Sequence, residues 1–277
     1  MVIIILNNDD LPPSLFAQSQ VPLNQTHDFF IAKWDSRGNG SGQFSMPHSI
    51  DIDLAGNVYV ADSGNSRIQK FTSDGQFVTK WGTEGTDDGQ FKILHDVAVS
   101  PSGEFVYTIE LGNQHRIQKF TSDGKFITKW TYENSGGPES YSDPHQIAID
   151  SLGNVYLPDA AGNKVIEFDG NGKFIKNWGV KGTAEGQFHK PHGVAIDSKD
   201  NIYITDMRNS RIQKFDSNGN FITTWGTEGT NQGQFTEVMP GIDTDYSNNN
   251  VYVIDKEGAN VQKFSNNGKF IAKWGIK

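Results

Sequence analysis

No cysteine occurs in the 277 residues of this chain. That absence excludes a disulfide framework, a thiolate zinc site and a cysteine nucleophile. It does not fix the compartment, because a core of this size needs no disulfides in any of them. Basic residues are also few: 24 Lys and Arg stand against 33 Asp and Glu, for a formal charge of −9. Phosphate backbones are gripped by basic faces, so nucleic acid is not an expected partner. Long apolar runs are missing as well. Residues 2–6, within the opening MVIIIL, are strongly apolar, but a membrane span needs roughly 20 such residues. No basic segment precedes them, and Asn7, Asn8, Asp9 and Asp10 follow at once, unlike a secretory leader. Residues 14–19, around Ala17, do look loosely like a cleavage region. Localisation is therefore unknown, with export left open.

What the chain does have is turn chemistry and aromatics. Glycine numbers 30 residues and aromatics make up 12%, which suits many short strands joined by tight turns. All six tryptophans fall in one register: Trp34, Trp81, Trp130, Trp178, Trp225 and Trp274. Their spacings are 47, 49, 48, 47 and 49 residues, and each closes a short segment of the type FIAKW, FVTKW or FITTW. A fixed period of this size, carrying several β-like bursts, is the signature of propeller blades. Four strands are expected in each period, from the channel outward: a at residues 49–53, b at 58–61, c at 67–71 and d at 77–81 in the first full unit. The repeated Trp ends the outermost strand, where a wide ring covers the gap between blades.

Five complete sets run from residue 47 to 274, and residues 30–34 supply a sixth strand d. Met1 stands 33 residues before Trp34, as His48 stands 33 before Trp81, so residues 2–6 fall where a strand a belongs. Pro12 and Pro13, however, land on the strand b positions, where proline removes ladder donors. The expected fold is all-β: a six-bladed β-propeller of four-stranded blades with its first blade degenerate or incomplete. Five blades plus an extra strand is the runner-up. Residues 1–28 would be the degenerate first-blade segment or a leader remnant, and 29–277 the propeller.

The unit at residues 191–215, PHGVAIDSKDNIYITDMRNSRIQKF, resembles the NHL repeat. The likeness extends over residues 29–277 and bears on fold far more than on function, since propellers host unrelated activities. Families with similar repeats include tripartite-motif ubiquitin ligases, RNA-binding regulators, kinase sensor domains and zinc-dependent peptidyl-hydroxyglycine lyases. Ubiquitin transfer through a zinc-binding RING needs cysteine, which is absent. A kinase would need a Gly-rich loop and a His-Arg-Asp triplet, also absent.

Four units place a histidine at the start of strand a: His48, His95, His145 and His192. Imidazoles from four consecutive blades should point near a common axis, and imidazole is the commonest zinc ligand. In the lyases the resemblance implies zinc-binding histidines in the same Pro-His context on alternate blades. Here His48 pairs with His145 and His95 with His192, each pair lacking a third member, because Met1 and Gly241 align in the other units. The catalytic tyrosine implied for the b-to-c loop is missing as well. The plainer reading is structural: a ring nitrogen bonding a carbonyl of the neighbouring blade, repeated by duplication. No cofactor is expected, with zinc the one these residues would take.

Arg67, Arg116 and Arg211 recur at the start of strand c, with Lys164 in the third unit, and each follows an acid: Asp62, Glu110, Asp206 and Asp159. An acid–Arg brace of the b-to-c loop is expected; the functional alternative is a guanidinium fork for a carboxylate or phosphate ligand. The loop after Trp130 departs from the Gly-Gln-Phe pattern and carries Tyr132 and Tyr141, which makes both candidate ligand contacts. Asp51 and Asp53 resemble part of a calcium loop without its spacing, and are read as turn and strand-edge acids. The expected function is a non-enzymatic scaffold that offers its channel face to a protein, peptide or small-molecule ligand. The alternative is a metal-dependent lyase or hydrolase resembling peptidyl-hydroxyglycine lyase.

Overall fold

A computed structural model describes residues 36–112, 115–132, 144–236 and 238–275. Twenty strands form five four-stranded antiparallel sheets, each in simple sequential order. Blade one comprises β1 (Pro47–Ile52), β2 (Val58–Asp62), β3 (Arg67–Phe71) and β4 (Phe77–Trp81), and blade two β5 (Leu94–Val99), β6 (Phe105–Glu110), β7 (Arg116–Thr121) and β8 (Phe126–Thr131). Blade three has a short inner strand β9 (Ala148–Ile149), then β10 (Val155–Asp159), β11 (Lys164–Phe168) and β12 (Phe174–Trp178). Blade four is β13 (Pro191–Ile196), β14 (Ile202–Asp206), β15 (Arg211–Phe215) and β16 (Phe221–Trp225), and blade five β17 (Val238–Thr244), β18 (Val251–Asp255), β19 (Asn260–Phe264) and β20 (Phe270–Trp274).

Local chemistry explains the strand ends. In the a-to-b turn of blade one, the Asp53 carboxylate accepts from the backbone N–H of Ala55 and Asn57, and the Tyr59 hydroxyl donates to its other oxygen at 3.2 Å. Asp150, Asp197 and Asp245 repeat this arrangement in blades three, four and five. These are Asx-type turns, and Asp53 is a turn acid. Second strands such as β2 and β14 are buried at every residue: both faces of β14 are covered by neighbouring blades, while β2 has blade two on one face and Phe44 and Phe71 of its own unit on the other. Outer strands alternate between half-buried and exposed, so they read as amphipathic while the inner strands read as solid apolar bursts.

The core lies between blades. Tyr59, Ala61 and Ile68 of blade one pack on Phe91, Leu94, Val97, Val99, Val106 and Phe120 of blade two. Equivalent clusters join blades two and three, three and four, and four and five. Four tryptophans bridge to the next blade: Trp81 meets Phe120 at 6.0 Å, Trp130 meets Phe168 at 6.2 Å, Trp178 meets Phe215 at 6.0 Å and Trp225 meets Phe264 at 6.0 Å, while Trp274 stacks on Tyr252 of its own blade. A glycine of the following blade lets each of the four bridging rings in. At Gly124 (φ +90°) a Cβ would come within 2.5 Å of the Trp81 ring, and at Gly172 (φ +87°) within 2.4 Å of the Trp130 ring, so glycine is required both for backbone and for space.

The blade count corrects the sequence expectation. Among the described residues there are five four-stranded blades and no sixth. The reason is visible in the repeat: only five units carry all four strand bursts with their turn residues, whereas residues 1–35 carry the run at 2–6 and one d-like burst, with Pro12 and Pro13 on the strand b positions. Those residues, with Trp34 and the expected 1–28 segment, lie outside the described ones. The fifth apolar cluster, Phe44, Val58, Val60 and Phe71, belongs to blade one alone. Among the described residues, none of the apolar clusters joins blade five to blade one.

Candidate functional site: the channel rim

The innermost strands bring the four histidines into one continuous row. Ring centroids of His48 and His95 are 3.9 Å apart, those of His95 and His145 4.9 Å, and those of His145 and His192 3.9 Å with planes only 21° apart. Each ring therefore contacts the ring of the next blade, and the row spans blades one to four. His95 Nδ1 lies 2.9 Å from the backbone carbonyl of His145. A carbonyl only accepts, so Nδ1 carries the proton and Nε2 of a neutral ring is left as an acceptor. His145 Nδ1 approaches that Nε2 at 3.4 Å, as a donor would. Burial, then the neighbouring His48 and His145 rings, push the His95 pKa down to about 3. The sequence expectation that a ring nitrogen bonds a carbonyl of the next blade describes His95 directly.

Blade five contributes no histidine, and its entry differs in register. In blade four Pro191 pairs with Asp206 and Val194 with Ile204, whereas in blade five Val238 pairs with Asp255 and Ile242 with Val253. One extra residue is accommodated at the bend, so Gly241 is not a strict equivalent of the histidines. Among the described residues, no three His, Asp or Glu side chains gather into a group able to hold a metal.

Beneath the row lies a belt that inspection of the sequence missed. Ser49 donates its hydroxyl to Asp96 Oδ1, Asp96 Oδ2 accepts from Ile147 N–H at 2.8 Å, and Gln146 Oε1 accepts from Val194 N–H at 3.1 Å. Gln146 Nε2 reaches Ile242 O at 3.3 Å. In blades one to three the residue after the histidine thus stitches its blade to the next, and Gln146 also reaches past blade four to blade five. Asp96 is 4% exposed, and burial pushes its carboxyl up to about 7 against the lowering bonds from Ser49 and Ile147. Deeper still, Asp51 of blade one sits in register with Asp243 of blade five. Asp51 is raised first by burial and then by the charge of Asp243; Asp243 still meets solvent in the lumen, yet protein walls crowd it and raise it too. The clue available in sequence was polar residues at alternate positions of otherwise apolar strands.

The arginines are spent inside the protein. Arg67 Nε donates to Asp62 at 2.7 Å, and its terminal nitrogens donate to the carbonyls of Asn39, Gly40 and Gln43. Arg211 repeats this with Asp206 and the carbonyls of Thr183, Ala184 and Gln187, and Arg116 with Glu110, Thr86 and Gln90. The brace therefore spans two loops, reaching from the b-to-c acid to the incoming d-to-a loop. Lys164 lies 3.9 Å from Asp159, and in blade five Asn260 approaches Asp255 at 3.3 Å. Tyr132 is buried, its hydroxyl donating to Glu110 O at 3.1 Å. Tyr141 lies outside the described residues.

Comparison with known proteins agrees with this architecture. Residues 44–71 and 188–215 match the NHL repeat family, which places NHL repeats in blades one and four. NHL repeat-containing protein 3 of Homo sapiens is 49% identical over 51 residues, and that of Mus musculus 45% over 51. Each match covers 18% of this chain and 14% of the relative, so the chain spans about a seventh of the length of these curated relatives. Among solved structures, a virginiamycin B lyase from Staphylococcus aureus superposes with a TM-score of 0.58 at 18% identity, covering 83% of this chain and 70% of that one. A chain of a nidogen–laminin complex gives 0.60 at 16% identity over 83% and 80%. A protein of unknown function from Bacteroides caccae gives 0.59 at 14% identity over 83% and 81%. At such identities the likeness is one of fold.

Proposed function

We propose that this NHL-repeat β-propeller is a non-enzymatic scaffold that presents its channel face to a protein, peptide or small-molecule ligand. The observation that carries the reading is the row of four imidazoles, one from each of four blades, in ring-to-ring contact at one rim. Such a ledge offers aromatic faces and ring nitrogens together, the pairing that suits peptide groups and planar ligands. It stands on backbone pinned by the acid–Arg braces, so little freedom is lost on binding. The guanidiniums themselves are engaged within the protein, which puts the weight of recognition on the histidines. A propeller solved in a complex of nidogen with laminin has the same fold, and recognition of a protein partner is in keeping with it.

A metal-dependent lyase or hydrolase is the second reading. One distance favours it: His145 Nδ1 and His95 Nε2 are 3.4 Å apart, near the spacing of two nitrogens on a tetrahedral zinc with bonds of about 2.0–2.1 Å. A catalytic zinc of that kind has three protein ligands, and a third is not gathered here.

The test compares immobilised wild type with a His48→Ala, His192→Ala rim variant and with an outer-strand control, Ile175→Ala. A partner retained by wild type and the control but lost from the rim variant supports the scaffold. Equal retention by all three, or one tightly held zinc per untagged chain, overturns it.

A further inference from the structure

We infer that the histidine row receives the C-terminal end of a peptide, with its carboxylate at Lys190 and Arg208 of blade four and an apolar side chain toward Met46 and Ile93 of blades one and two. The inference rests on the scaffold reading above and gives that ligand a chemistry and a direction. It starts from how the rim loops are tied together. In blade four Met207 N–H donates to Lys190 O at 3.3 Å and Arg208 N–H to His189 O at 3.0 Å. The same joint recurs in blade two, Leu111 N–H to Ile93 O at 3.0 Å, and in blade one, Gly64 N–H to Ser45 O at 2.8 Å. The residue two before each histidine is thereby held beside the b-to-c loop of its own blade. Met46 (φ +46°) and Lys190 (φ +57°) even share the left-handed backbone, so these two loops are equivalent and only their side chains differ.

The difference is one of charge. Beside His48 and His95 stand Met46, 77% exposed, and Ile93, 49% exposed. Beside His192 stands the exposed Lys190, and the exposed Arg208 occupies the position where blades one and two have Gly64 and Gly112. Both cations are uncommitted. The acid of their own loop, Asp206, is buried and already accepts from Arg211, Asn209, Gln213 and the backbone of His189. Among the described residues neither Lys190 nor Arg208 forms an ion pair, in contrast to Arg67, Arg116 and Arg211. In a chain of charge −9, two free cations on one rim corner complement a carboxylate, which a guanidinium and an ammonium bind by charge-assisted hydrogen bonds. The row also ends there, since blade five brings no histidine, and a chain that ends where the row ends carries a terminal carboxylate. Length agrees. The ring steps of 3.9, 4.9 and 3.9 Å keep His48 and His192 within reach of about four extended residues at about 3.3 Å each. The apolar side chain of such a peptide then falls at the Met46 and Ile93 end.

The test is calorimetry on the full chain with an acetylated tetrapeptide, one leucine followed by three alanines, supplied as the free acid and as the C-terminal amide. Wild type should bind the acid at least about tenfold more tightly than the amide, the scale of a hydrogen bond to a charged group. Lys190→Gln with Arg208→Gln, both at exposed positions, should abolish that preference and leave the affinity for the amide nearly unchanged. Met46→Ser should weaken binding of the leucine acid more than that of an all-alanine acid. Equal affinity for acid and amide, a preference that survives the double substitution, or no binding of either peptide overturns the inference. Each of these leaves the scaffold reading standing, because that reading falls only on its own test at His48 and His192. Inorganic phosphate bound as tightly as the peptide acid would make the corner a site for free anions and would likewise overturn the inference.

Discussion

His95 and His145 hold each other by their rings and their backbone at once: His95 donates from Nδ1 to the carbonyl of His145 at 2.9 Å, and His145 Nδ1 approaches His95 Nε2 at 3.4 Å. A proton added to His95 Nε2 would destroy the second contact and place a charge against the rings on either side. The rim is thus built for neutral imidazole at its second position.

This sets a pH dependence. Unfolded His95 would take a proton near its ordinary 6.5, folded His95 only near about 3. Across that window the unfolded chain binds more protons, so stability falls as pH falls from 6.5 toward 3. Asp96 runs the other way. Its ordinary value of 3.8 rises to about 7 on folding, so its contribution is present below 3.8 and is lost as pH rises through 7. Melting curves of His95→Phe should gain on wild type as pH drops, and those of Asp96→Asn should gain as pH climbs. Parallel curves for either variant would contradict the assignment.

The braces give a prediction about buried charge. Glu110 is fully buried and Arg116 is 4% exposed. Arg116→Ala leaves that carboxylate without its cation, which should cost about 3–5 kcal/mol in a denaturant titration. Arg116→Met with Glu110→Gln should recover much of the loss, because no unpaired charge then remains.

Trp178 packs on Phe215 of the next blade and under Gly219. Trp178→Ala should destabilise by about 3–5 kcal/mol, as large aromatic truncations do, with ligand binding per folded molecule little changed. Its indole N–H is buried without an acceptor. Trp178→Phe therefore sacrifices no hydrogen bond and should cost clearly less, a difference read from paired unfolding curves.

Zinc titration decides between the two functional readings. Untagged wild type should take up zinc weakly and substoichiometrically, and His95→Ala, His145→Ala should behave alike within error in calorimetry. One tight equivalent in wild type, absent from the double variant, would instead install the lyase or hydrolase reading.

The propeller was legible because its repeat is carried by residues with a fixed steric duty. Trp81, Trp130, Trp178 and Trp225 each meet the next blade, and glycine must accompany them. The acid–Arg pairing was also readable from its five- or six-residue spacing across one tight turn, as at Asp62 and Arg67. What escaped was lateral. The reach of Arg67 to Asn39, Gly40 and Gln43, and that of Asp96 to Ile147, cross to segments far away in sequence, and no local period encodes them. The number of blades was misread because a distance from Met1 to Trp34 matches the repeat while the strands between them do not.

The pairing of each of these four tryptophans with a glycine one blade onward has a consequence for how such a molecule arises and changes. Trp130 and Gly172, or Trp225 and Gly268, are one lock whose halves sit in different repeats. A copying error that begins or ends within a blade still inherits matched halves, provided its length is a whole number of periods. A point change at Gly172 is felt first by the blade before it. The heritable unit of this architecture is accordingly the junction, and its sequence drift should be correlated across blade borders more strongly than within them.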